Sequence, residues 1–141
     1  KHWIVSTLSF GEARDVAPFF NLVRAHNAGA AFSFLEGASG WQRWLFTAIA
    51  VGVSGVLVAW LRRLPSTARL LSAALALIVG GALGNLVDRL RFGYVVDFLD
   101  FHWAGWHFWS FNVADAGISC GAVLLLLDSF RGAPRGAPGG A

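Results

Sequence analysis

Between Arg43 and Arg62 stand eighteen residues without a charge, WLFTAIAVGVSGVLVAWL, and between Arg69 and Asp88 stand eighteen more, LLSAALALIVGGALGNLV. At about 1.5 Å per residue each reaches about 27 Å as a helix, close to the roughly 30 Å hydrocarbon core of a bilayer. A third run, FNVADAGISCGAVLLLLDSF from Phe111 to Phe130, carries Asp115 near one end and Asp128 near the other. Its apolar centre predicts another span. The expected fold is therefore mainly α and polytopic, with spans at about 44–61, 70–87 and 111–130. Composition agrees, because 56% hydrophobic and 13% charged residues, with a mean hydropathy of +0.58, are too apolar for a soluble domain of this size.

The connector RRLPSTAR from Arg62 to Arg69 holds three arginines and no acid, so the positive-inside rule assigns it to the cytoplasm. Residues 1–43 and 88–110 then face outward. The segment before the first span is expected to form a small extracytoplasmic β-element, since WIV and FFNLV are β-prone and are separated by Gly11 and Pro18. Residues 1–130 are read as one membrane domain, and 131–141, rich in Gly, Pro and Ala, as a disordered cytoplasmic tail. Trp41, Trp44, Trp60, Trp103, Trp106 and Trp109 fit interfacial aromatic belts. Three spans leave the N-terminus outside with nothing to carry it there, so a further apolar helix is expected before Lys1.

The net charge of +3 does not imply nucleic acid, since the basic residues form no long stripe. The single Cys120 excludes an intramolecular disulfide framework and a multi-cysteine zinc site. Small residues four apart, Gly80 with Gly84 and Gly117 with Gly121, have the spacing that lets membrane helices approach closely.

The stretch from Phe92 to Cys120 places Asp97, Asp100 and Asp115 among apolar residues, with no Lys or Arg between Gly93 and Cys120. A carboxylate at membrane depth is expensive and points to function. Asp97 lies in the strand-like YVVDF and Asp115 opens the last span, so these two carry the functional reading. Asn85, Asp88 and Arg89 fall at i, i+3 and i+4 and can face one another, which also suits an interfacial ion pair ending a helix. Asp100 and His102 read as ordinary interfacial residues.

A serine or cysteine nucleophile needs a paired base, and no Gly-x-Ser-x-Gly elbow occurs. The His-Glu-x-x-His pattern of a zinc peptidase is absent as well. Two neighbouring aspartates remain, and such a pair shares one proton, one member polarising water while the other hydrogen-bonds a scissile carbonyl. Neither cofactor nor metal is called for. A carrier or channel using membrane carboxylates, and a structural subunit with merely interfacial acids, stay open as alternatives.

Three blocks in order, HNAGAAFSFL from His26, GGALGNLVDRLRFGYVVDFLDFH from Gly80 and FNVADAGISCG from Phe111, closely resemble the signature blocks of the lipoprotein signal peptidase (signal peptidase II) family. The resemblance covers nearly the whole chain except its last dozen residues. It implies a bacterial membrane aspartic endopeptidase with four transmembrane helices and an extracytoplasmic β-cradle after the first. Such an enzyme cuts prolipoproteins just before a lipid-modified cysteine. It further implies that Asp97 and Asp115 are the catalytic dyad, that Asn27, Asp88 and Arg89 position substrate or support the site, and that Asn85 and Asn112 line it. Prolipoproteins and membrane lipid are the implied partners, the expected state is a monomer in the inner membrane, and the site faces outward. The family's first helix ends in an Asp-Gln-x-Thr/Ser-Lys pattern, and this chain starts at that pattern's last residue. The resemblance thus implies a missing first helix, and a chain compromised as an enzyme without it.

Overall fold

The computed structural model describes residues 1–28 and 40–131. Much of the HNAGAAFSFL block and nearly all of the tail lie outside them. Three long helices dominate: α2 (Trp41–Leu61), α3 (Arg69–Phe92) and α4 (Val113–Phe130), each long and apolar enough to cross a membrane. Their flanks expose Val56, Val87, Leu126 and Phe130, side chains that an aqueous protein would bury and lipid accepts. Trp41, Trp44 and Trp60 stand exposed at the ends of α2 as expected.

The central helix α3 packs on both neighbours, most extensively on α4. Glycine makes that contact possible, though not at every position expected. A Cβ on Gly81 would overlap the Ala114 carbonyl oxygen, and one on Gly121 would lie 2.7 Å from the Ala74 carbonyl oxygen. Gly84 would sit 3.3 Å from Ala114 Cβ, whereas Gly80 meets nothing within 4 Å. The close-approach pair is Gly81 and Gly121, because Gly80 lies one residue round the helix and faces away from α4.

The extramembrane part is a small antiparallel sheet in the order β1 (Ala13–Ala17), β2 (Phe20–Asn27), β3 (Val95–Trp103) and β4 (Trp106–His107). FFNLV contributes to β2 as expected. WIV does not form a strand: it lies in a short helix, α1 (His2–Thr7), whose Ile4 is buried with Leu8 against Val96 of the sheet. Tertiary burial overrides the β propensity of Ile and Val there. Trp103 and Trp106 sit on the β3–β4 hairpin and Trp109 just beyond it, exposed, rather than at the ends of a span.

Two features aim β3 at the bundle. Gly93 ends α3 in the left-handed conformation at φ 87°, where L side chains are strained, and its N–H bonds to the Arg89 carbonyl. From α2, Arg43 donates to the Leu90 carbonyl at 2.8 Å, tying that helix to the same end of α3.

Candidate active site

The acids gather where β3, α3 and α4 meet. Asp97 sits on β3 and is 4% exposed. Its Oδ1 accepts from Asn112 Nδ2 at 2.7 Å, and its Oδ2 accepts from Asn27 Nδ2 of β2 at 3.2 Å. Asp115 lies one turn into α4, where its Oδ1 accepts from Asn85 Nδ2 of α3 at 2.7 Å.

Asn112 joins the two acids, and the local sequence explains how. It is the N-cap of α4, with extended backbone at φ −131°. Its side-chain oxygen accepts from Ala114 N, while its own N–H donates to Asp115 Oδ2 at 3.0 Å. Asn at the cap and Asp three residues later form a capping box, and the spare amide hydrogens of Asn112 point at Asp97. One fully buried residue therefore fixes both carboxylates.

Burial pushes the Asp97 carboxyl up to about 6; the Asn112 hydrogen bond opposes the rise, the Asp115 charge adds to it, and Asn27 and Lys1 act against it. This pair of acids, Asp97 buried and Asp115 half-buried, can hold one proton between them.

Each residue that the sequence pointed to can be located. Asp88 is buried rather than set at an open helix end. It pairs with Lys1 Nζ at 2.8 Å and accepts from Val96 N at 2.9 Å, fastening β3 to α3 next to Asp97. Arg89 stacks its guanidinium over Phe46 of α2, 5.1 Å from the ring centre. Asn85 donates to Asp115 and accepts from Lys1 at 2.8 Å, and Asn27 and Asn112 hold Asp97. Lys1 was not singled out as a site residue by sequence reasoning. Its signal was the position it takes in the family's Lys-ending pattern. His26, next to Asn27, was also passed over: it stacks on Tyr94 at 3.7 Å, and burial, then Arg24, lower its pKa.

Asp100 and His102 differ from the expectation of ordinary interfacial residues. Asp100 is 5% exposed and accepts from Asn21 Nδ2 at 3.1 Å, and His107 Nδ1 approaches its Oδ1 at 3.0 Å. His102 Nε2 lies 3.3 Å from Asn21 Oδ1 and its ring stacks on that of His107. No group of three or more possible metal ligands occurs among the described residues.

Three apolar helices capped by a sheet, with paired carboxylates at one end, define a multi-pass membrane protein of the kind that can perform aspartic proteolysis. The sequence matches the family described as Signal peptidase (SPase) II over residues 1–131, and the chain belongs to that family. It is 53% identical over 131 residues to a lipoprotein signal peptidase of Shewanella amazonensis, covering 93% of this chain and 78% of that protein. A lipoprotein signal peptidase of Shewanella halifaxensis is 55% identical over 130 residues, covering 92% and 76%. A bacterial membrane enzyme solved by the in meso method at 2.3 Å superposes with a TM-score of 0.82 at 30% identity, covering 92% of this chain and 77% of that one. A second such structure, at 1.9 Å, gives a TM-score of 0.77. The chain is a bacterial membrane enzyme of the lipoprotein signal peptidase type, and the carrier and structural-subunit alternatives are not favoured.

Proposed function

We propose that Asp97 and Asp115 are the catalytic dyad, with Asp97 the member that holds the proton. The carrying observation is the double engagement of Asn112, which binds Asp97 through its amide and Asp115 through its backbone N–H. Asp97 is the better proton holder because burial raises it to about 6.

The reaction then runs without metal or cofactor. Asp115 takes a proton from water as the water oxygen attacks the scissile carbonyl carbon, and Asp97 passes its proton to the carbonyl oxygen. The tetrahedral intermediate collapses as Asp115 gives its proton to the leaving nitrogen, the C–N bond breaks, and Asp97 recovers its own from the hydroxyl. Lys1 neutralises Asp88 and steadies Asn85, which in turn steadies Asp115. Asn27 and Arg89, at the edge of the dyad, bind the peptide main chain, and Asn85, Asn112 and Asp88 frame it.

The substrate is a prolipoprotein already carrying a diacylglyceryl cysteine, cut just before that residue. A site at the membrane boundary suits a peptide whose acyl chains stay in lipid. Arg62, Arg63 and Arg69 mark the opposite end of the bundle, which supports a site on the extracytoplasmic side; an inner-membrane monomer is part of the same proposal. Purified protein in lipid should convert the lipidated precursor to a product whose N-terminus is the modified cysteine, read by mass spectrometry, with or without EDTA. Activity lost to EDTA and restored by zinc, or carboxylate-dependent ion flux without any peptide product, would overturn this reading.

A further inference from the structure

The strands β2 and β3 are joined by two side-chain rungs of the same chemistry. Asn27 donates to Asp97, and Asn21 donates to Asp100. Asn21 stands directly opposite Asp100 in the ladder, whereas the partner opposite Asp97 is Ala25, so Asn27 reaches Asp97 from two residues further along. Between the rungs the register shifts: Leu22 pairs with Leu99 and Ala25 with Asp97, three residues on β2 against two on β3. β2 therefore carries one extra residue, a bulge, between the rungs. Only with the bulge there does Asn27 arrive at Asp97.

Something must hold the bulge in place, because a one-residue slip turns every side chain of a strand to the other face. The backbone ladder alone repeats along the strand and does not choose between registers. The Asn21–Asp100 rung chooses. Both residues are buried, and the carboxylate is gripped from a third strand by His107 of β4. Asp97 and Asp100 lie three apart on β3, so by strand alternation they leave opposite faces of the sheet. The second rung thus lies outside the dyad and cannot touch the reacting atoms.

We infer that Asp100, with Asn21, is a positioning residue: it locks the register of β2 on β3 and thereby delivers Asn27 to Asp97. This rests on the assignment of Asp97 and Asp115 as the dyad. The charged and polar groups around Asp97 come from several elements. Asp115 faces it from α4, Asp88 and Arg89 stand on α3, Lys1 precedes α1, and Asn27 and Asn112 bond it directly. Around Asp100 stand His102 and His107, with Arg24 and His26 on the adjoining strand.

Donation from Asn27 favours the ionised Asp97, so losing it raises the pH at which Asp97 gives up its proton. A variant that only destabilises the fold lowers the amount of active enzyme and leaves that pH alone. The direct field of Asp100 has the opposite sign, since removing its negative charge lowers the pKa of a neighbouring acid.

The experiment measures kcat/KM against pH for the full-length protein in lipid. Asn21→Leu, which changes no charge, should move the alkaline limb up by about half a pH unit and lower the plateau about fivefold. Asp100→Leu should move it in the same direction despite removing an anion. The exchange Asn21→Asp with Asp100→Asn restores an amide–carboxylate rung and should return both values to within about twofold of the parent. An unmoved limb in Asn21→Leu, a downward shift in Asp100→Leu, or an exchange variant no better than either single change would each overturn the inference. Asp97→Asn in the same assay separates the two claims: if it turns over substrate, the dyad assignment fails, and if it is inactive while the limb stays fixed in Asn21→Leu, only the register lock fails.

Discussion

Asn112 donates its side-chain amide to Asp97 Oδ1 across 2.7 Å, from a position that is itself wholly buried. It also caps α4, so one substitution should affect folding and chemistry in different proportions. Asn112→Leu is expected to destabilise the helix start by about 1 kcal/mol. Turnover should fall about a hundredfold, because a donor fixed against a reacting carboxylate is lost. Thermal unfolding and kcat measured on the same preparations check this, and a variant with near-parental kcat would contradict it.

Lys1 and Asp88 form a pair that is 17% and 6% exposed at the side chains. Lys1→Met strands a buried carboxylate and should cost about 3 kcal/mol, most of which should return when Asp88→Asn is added. A double-mutant cycle by denaturation in detergent reads the coupling. A double variant whose loss equals the sum of the two single losses would show that the pair is uncoupled.

Helix packing predicts a sharp contrast among glycines. Gly81→Ala and Gly121→Ala each force backbone apart at the α3–α4 contact and should cost about 1–3 kcal/mol. Gly80→Ala meets open space and should be neutral or slightly stabilising. Melting temperatures of the three variants decide the matter.

Stability should also depend on pH through Asp97. Its folded-state pKa, about 6, lies above the ordinary 3.8, so the folded protein holds the proton more tightly than the unfolded chain. Its contribution is greatest below the unfolded value and is lost as pH rises through the window from 3.8 to about 6. The loss amounts to about 3 kcal/mol at about 1.4 kcal/mol per pKa unit. Asp97→Asn should flatten that part of the stability profile and be more stable than the parent at pH 7. A profile that keeps the parent's slope would contradict the burial argument.

The spans were legible because eighteen-residue apolar runs between arginines have few other uses. Asp97 and Asp115 were legible for the complementary reason, that charge is costly in such surroundings. Long-range partners were not. Nothing local in DFH announces that Asp100 will be buried by Asn21, 79 residues away in sequence, or that Lys1 will reach Asn85 across 84. The helix at WIV likewise depends on the sheet that its Ile4 packs against. Gly81 and Gly80 are indistinguishable until the face turned to α4 is known.

The dyad itself is tested most directly by replacing each acid in the full-length protein and following conversion of a diacylglyceryl-modified prolipoprotein by gel shift. Asp97→Asn and Asp115→Asn should each abolish cleavage, because neither amide can exchange a proton through the reaction. The double variant should lose little more than either single one, since the two act as a unit. Both should still fold and bind substrate. Full turnover by either single variant, in correctly folded protein, would contradict the account.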